Sequence, residues 1–231
     1  MNHTALMEAL QSQQGQQRLA HLYGHRDDAV QRQTARYTAL ISRHAALFGP
    51  QENVLMVSAP GRTEIVGNHT DHNRGRVLAA AINLDTLAAV SPREDMVVNL
   101  HSEGYPAITM DLSDLAPHPQ ERETTAALIR GVADGLRRRG YRVGGFDATV
   151  TSQVLGGSGL SSSAAFEVMV CCALDALYND CRVDAVARAQ ISQYAENVHF
   201  GKPSGLMDQM ASSVGGMTYI DFEVDGATTI Y

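Results

Sequence analysis

Cysteine is scarce in this sequence, and the scarcity narrows its class. Three thiols in 231 residues (Cys171, Cys172 and Cys181) are too few for a disulfide framework, and the first two stand in an apolar setting. A reducing, cytoplasmic compartment is expected. No apolar run reaches membrane-spanning length, and Met1 to Gln17 is polar and Gln-rich, so neither an anchor nor a secretory leader is expected. The net charge of −7 argues against a general nucleic-acid binder, though not against a nucleotide whose phosphates are met locally. Beyond the glutamines there is no low-complexity tract, and there is no internal repeat. His69 and His72 would face opposite sides of a strand, and no Cys or Glu cluster completes a metal site around them. What is present is a globular composition, 44% apolar, that suits an α/β or α+β fold.

The stretch hardest to explain without chemistry is Leu155-Gly156-Gly157-Ser158-Gly159-Leu160-Ser161-Ser162-Ser163. Phe146 to Val154 reads as a strand and Ala164 to Tyr178 as a helix, with the serines as N-cap residues. Strand, glycine loop and helix start aim backbone N–H groups and the positive end of a helix dipole at one point, which suits an anion such as phosphate. Two familiar nucleotide motifs are missing. No lysine stands where G-x-x-x-x-G-K-[ST] needs one, and Gly157-Ser158-Gly159 lacks the third glycine of G-x-G-x-x-G.

Along the chain, residues 1–49 read as a helical N-terminal extension. Thr4 is a candidate cap, a Gln-rich patch around Gly15 an interruption, and Asp27 to Phe48 a helix stopped by Gly49-Pro50. His21, His25 and His44 read as solvated-face residues. Val54 to Ser58 is a short strand, and Gly61 to Gly75 a polar loop whose Asn68, His69, Asp71 and Asn73 can read a polyol. Arg76 to Ile82 alternates back into apolar residues as a strand, and Thr86 to Val90, Met96 to His101 and Ala107 to Leu112 form a run of strands whose short separations predict antiparallel pairing. Glu121 to Arg138 is an amphipathic helix with Leu128, Val132 and Leu136 inward. Val183 to Phe200 is another, and Leu206 to Ser213 carries Asp208 in its first turn. Gly215 to Phe222 is a strand followed by a turn at Val224-Asp225-Gly226. The run from Ala227 then stops while a sheet is still being built, so a longer parent chain is expected.

Three stretches in this order resemble the galactokinase branch of the GHMP small-molecule kinases. Ala59-Pro60-Gly61-Arg62 through Asn68-His69-Thr70-Asp71 is similar to its sugar-binding signature. Leu155 to Ala165 is similar to its ATP loop. Glu196 with Gly201-Lys202-Pro203-Ser204-Gly205-Leu206-Met207-Asp208-Gln209 is similar to the segment carrying the catalytic aspartate. The resemblance implies an α+β fold: the ribosomal protein S5 domain 2-like N-terminal domain of these kinases over residues 50–231, in two layers with a mixed or antiparallel sheet. The C-terminal domain of the family is missing from these residues, so weak turnover is expected of them alone.

The activity implied is ATP-dependent phosphorylation of a monosaccharide at its anomeric hydroxyl, galactose first. A non-catalytic sugar- and ATP-sensing relative is the alternative. By resemblance, Asp208 would be the base and Arg62 would help neutralise the transferred phosphoryl group. Gly156, Gly157, Ser158, Gly159, Leu160, Ser161, Ser162 and Ser163 would hold ATP, while Ser163 and Glu196 would hold Mg²⁺. Asn68, His69, Asp71 and Gly205 would contact the sugar. The sugar and ATP would be the partners, with no nucleic acid or membrane, and a monomer is expected. The family signature has Asn, Glu and Tyr where this chain has Glu64, Asn68 and His72. That shift bears on specificity and admits a sugar altered at its C6 end, such as galacturonate.

Overall fold

Asn2, rather than Thr4, starts the first helix. In the computed structural model, which describes residues 1–70, 73–222 and 229–230, the Asn2 side chain accepts the Ala5 N–H at 2.9 Å and caps α1 (His3–Gln11). Ser12 closes α1 and caps α2 (Gln13–Tyr23) through the Gly15 N–H. The Gln-rich patch is therefore helix, as the good propensity of glutamine allows, and the interruption is Ser12 alone. The third helix, α3 (Asp27–Phe48), opens with two aspartates against the positive end of its dipole and stops at Gly49, where φ is 71°. Leu10, Leu19, Tyr23, Tyr37, Leu40 and Ile41 from these helices pack on Val54, Leu87 and Ala89. Each such apolar side chain contributes about 1.5–3 kcal/mol on burial.

The chain divides into two units. The first comprises Met1–Val57, Leu87–Asp111 and Gly145–Thr151. It contains the three helices, the end of β2 (Arg76–Pro92), β3 (Val97–Ser102), β4 (Ile108–Asp111) and most of β5 (Phe146–Ser152), in strand order β4-β3-β5-β2. The short Arg93–Asp95 connection predicts that β2 and β3 pair. Instead β5 lies between them, parallel to β3, while β3 and β4 are antiparallel. Phe146 to Val150 are all buried, which marks an interior strand covered on both faces. The sheet is mixed.

His44 departs from the solvated-face reading. It is fully buried, with Nδ1 2.9 Å from His3 Nε2 and Nε2 3.4 Å from both the Asp147 carbonyl and Ser91 Oγ. A carbonyl can only accept, so Nε2 carries the proton and Nδ1 accepts from His3. Burial pushes the His44 imidazole down to about 4.

The second unit comprises Ser58–Thr86, Leu112–Gly144 and Ser152–Tyr231. Here β1 (Leu55–Val66) runs on through Pro60 rather than ending at Ser58. Among the described residues it pairs with β2 alone, and an edge strand tolerates a proline. From Arg76 to Ala80, β2 pairs antiparallel with β6 (Met217–Asp221), and β7 (Thr229–Ile230) lies beyond β6. The predicted turn at Val224-Asp225-Gly226 falls outside the described residues. The helices are α4 (Thr125–Arg138), α5 (Ser162–Tyr178), α6 (Ala185–Tyr194) and α7 (Met207–Val214). Leu128, Val132 and Leu136 are buried as their spacing requires. Val77, Ala79 and Ile220 of the sheet meet Ala189, Leu206, Met207, Met210 and Ala211 of the helices. The helix expected over Val183 to Phe200 changes to π geometry over Ala195–Phe200, where the Gly201 N–H reaches the Glu196 carbonyl. Such wide turns frequently occur at functional sites. Among the described residues no helix is long and apolar enough to cross a membrane.

His44 supplies a pH test. An unfolded chain whose His44 titrates near 6.5 binds more protons than the folded one down to about 4, so stability falls as pH drops through that window. The loss of melting temperature between about pH 7 and pH 4.5, followed by circular dichroism, should be smaller by several degrees in His44→Asn than in wild type. Parallel curves would assign the acid sensitivity elsewhere.

Candidate active site

β1 carries Arg62 into the second unit, where the residue is 8% exposed. Its Nε donates to Asp208 Oδ1 at 2.8 Å and its Nη1 to the Gly159 carbonyl at 2.7 Å. The Arg62 backbone N–H meets the Leu160 carbonyl at 3.2 Å. One residue thus fastens the glycine loop to the aspartate. The approach requires Gly61, since a Cβ there would stand 2.8 Å from the Leu160 oxygen and 3.1 Å from both Val154 methyls. Gly157 and Gly159 take φ of 77° and 75° with open space on the side a Cβ would occupy.

Ser161 does not act as the expected cap. It sits in the left-handed region, with φ 60° and ψ 57°, and makes no capping bond to α5. Its hydroxyl donates to Asp208 Oδ2 at 2.5 Å instead. The first turn of α5 is left without a side-chain cap, directly after a loop in which Gly156, Gly157, Ser158 and Gly159 are exposed. Ser158 Oγ folds back on the Leu155 carbonyl. Asp208, in the first turn of α7, is more than an end charge, because its two oxygens are held from two other elements by charge-assisted bonds.

A second cluster surrounds Glu196 on the π turn. Glu196 Oε1 accepts from Ser163 Oγ at 3.2 Å and from Lys202 Nζ at 3.0 Å. Glu196 Oε2 accepts from Gln209 Nε2 at 2.8 Å, and the same amide nitrogen reaches Glu167 Oε2 at 3.1 Å. Glu167 and Gln209 are fully buried, and Oε1 of each lacks a hydrogen-bond partner. Burial raises the Glu167 carboxyl well above the usual range, and the nearby Glu196 charge adds to the effect. Ser163 and Glu196 offer the hard oxygen donors that suit Mg²⁺. Among the described residues no group of three His, Cys, Asp or Glu could hold a metal, so other oxygens would have to complete the sphere.

The structure therefore brings together Arg62, Gly159, Leu160, Ser161 and Asp208, and separately Ser163 and Glu196. Asn68 and His69 stand exposed on the turn after β1. Asn68 has φ 56°, and its N–H donates to Glu64 Oε1 at 2.7 Å. Gly205 is half-buried just before α7. Asp71 and His72 lie outside the described residues. The sequence reading missed the bonds of Lys202, Gln209 and Glu167. A carboxylate amid the apolar residues of α5 was the available signal for Glu167.

Residues 42–92 match the galactokinase galactose-binding signature, and residues 127–216 match the GHMP kinases N terminal domain. Both matches are to the GHMP kinases, and the first is the signature of their galactokinase branch. The chain is 41% identical over 173 residues to a galactokinase of Streptomyces coelicolor, covering 74% of this chain and 44% of that relative. A galactokinase of Clostridium tetani is 35% identical over 158 residues, covering 68% and 40%. The solved Lactococcus lactis galactokinase complexed with galactose superposes with a TM-score of 0.77 at 31% identity, covering 84% of this chain and 51% of that one. A mevalonate kinase, at 17% identity and a TM-score of 0.62, shares the GHMP fold. The chain thus spans less than half the length of these curated galactokinase relatives.

The Gly61 contact tests the clamp. Gly61→Ala should destabilise by about 1–3 kcal/mol, read from urea denaturation. An unchanged midpoint would show that the Leu160 carbonyl gives way freely.

Proposed function

We propose that the protein moves the γ-phosphoryl group of ATP to the anomeric hydroxyl of a monosaccharide, galactose first, giving galactose 1-phosphate and ADP. The reading is carried by Arg62, whose guanidinium holds the Asp208 carboxylate with one arm and the glycine loop with the other. A loop suited to phosphate and a fixed carboxylate are the two groups that in-line transfer needs close together.

Asp208 takes the hydroxyl proton as the sugar oxygen attacks the γ-phosphorus and the bond to the ADP oxygen breaks. Arg62 Nε and Ser161 Oγ fix the direction of its oxygens, so no rearrangement is needed at the moment of transfer. The Arg62 charge also offsets negative charge on the moving group. The exposed Gly156 to Gly159 loop and the uncapped start of α5 fit the nucleotide phosphates. Ser163 and Glu196 would hold Mg²⁺ by their oxygens. When bound, the metal supplies charge neutralisation on the β- and γ-phosphates.

Asn68, His69, Asp71 and Gly205 are assigned to the sugar. Glu64 spends its carboxylate on the Asn68 N–H, which leaves a neutral amide to read the sugar's far end. That placement keeps a C6-oxidised hexose as the second substrate. A cytoplasmic setting belongs to the same proposal and is supported by the free thiols of Cys171, Cys172 and Cys181.

The test is a panel of hexoses and hexuronic acids with ATP and Mg²⁺, run on the protein at its full natural length. Transfer to the C1 hydroxyl of galactose or galacturonate is expected. Asp208→Asn should lower turnover by at least about 10²-fold while changing ATP affinity little. Near wild-type turnover in Asp208→Asn would remove the aspartate from the chemistry.

A further inference from the structure

Lys202 is the only lysine in the sequence, and its ammonium stands 3.0 Å from Glu196 Oε1, the same oxygen that accepts from Ser163 at 3.2 Å. The two ends of the Glu196 carboxylate differ. Oε2 is held by the buried amide of Gln209, whereas Oε1 is met by a hydroxyl and by a side chain that is 60% exposed. The Glu196 side chain itself is 3% exposed. A carboxylate so enclosed is strongly disfavoured without a positive partner, and its neutral donors, Ser163 and Gln209, leave the charge uncompensated. Lys202 is the cation that compensates it. The lysine backbone N–H is tied to the Glu196 carbonyl at 3.1 Å, so the root of the side chain is fixed while its stem lies in solvent and can swing.

We propose that Lys202 is a tethered placeholder for the divalent cation at Glu196. Its ammonium neutralises Oε1 while no metal is bound and is displaced when a metal takes that oxygen. The proposal rests on the reading of Ser163 and Glu196 as metal ligands. An ammonium and a divalent ion cannot share the one oxygen without strong repulsion, so the two compete. Lys202 therefore lowers the affinity of the site for free metal. A plain surface ion pair would have no such consequence.

The experiment is Mn²⁺ binding, with the metal alone, followed by the electron paramagnetic resonance signal of free Mn²⁺. It compares the whole chain as wild type, Lys202→Met, Glu196→Gln and the double variant, with melting temperatures to show that each is folded. Lys202→Met is expected to bind Mn²⁺ roughly two- to fivefold more tightly than wild type, the size of a partly exposed charge pair. Both variants with Gln at 196 should lose the binding. Equal or weaker binding by Lys202→Met, with Glu196→Gln still losing the metal, overturns the placeholder role and leaves the metal reading standing. Wild-type affinity in Glu196→Gln, or no Mn²⁺ bound by any variant, overturns both.

Discussion

A nearly buried guanidinium must be hydrogen-bonded and paired, and at Arg62 that requirement organises the site. One arm takes the Asp208 carboxylate and another the Gly159 carbonyl, so the loop and α7 cannot drift apart without leaving a buried charge unsatisfied. The local features follow from it. Gly61 lacks a Cβ because the Leu160 carbonyl occupies that space. Ser161 adopts a left-handed conformation that costs on the order of 1 kcal/mol and gains a bond to the same carboxylate. β1 passes through Pro60 instead of ending there, which carries Arg62 inward on a rigid strand.

The Glu196 cluster is the electrostatic counterpart. Glu196 lies on a π turn, whose extra residue per turn reorients side chains that a regular helix would place elsewhere. Gln209, the neighbour of Asp208 in sequence, donates to both Glu196 and Glu167. α7 therefore presents Asp208 to Arg62 and Ser161, and Gln209 to the carboxylates of the second cluster. A shift of this short helix would disturb both clusters together.

Much of this was legible in the sequence. By their order and their resemblance to a family, the motifs implied the fold and named Arg62, the glycine loop, Glu196 and Asp208, which the structure gathers in two clusters, Arg62 with the loop and Asp208, and Glu196 with Ser163. Helix faces set by apolar spacing, such as Leu128, Val132 and Leu136, were equally readable. What escaped depends on tertiary contact. Thr4 and Asn2 are both good caps, and only the geometry selects Asn2. The loop serines look like caps until Asp208 offers Ser161 a stronger acceptor. His44 looks solvated until α1 brings His3 to it. The insertion of β5 between β2 and β3 is a non-local pairing that a short connection hides. Whether an isolated lysine faces water or an enclosed carboxylate is likewise invisible to periodicity.

If Arg62 is the residue on which the site depends, its removal must abolish transfer rather than merely weaken binding. The decisive measurement is the single-turnover rate of phosphoryl transfer from ATP to galactose by Arg62→Ala against wild type, at saturating substrates and with folding verified. The account predicts a fall of at least ~10³-fold, as for other cations that neutralise a transferred phosphoryl group. A rate within about twofold of wild type, on a scale where tenfold is some 1.4 kcal/mol of barrier, would contradict it.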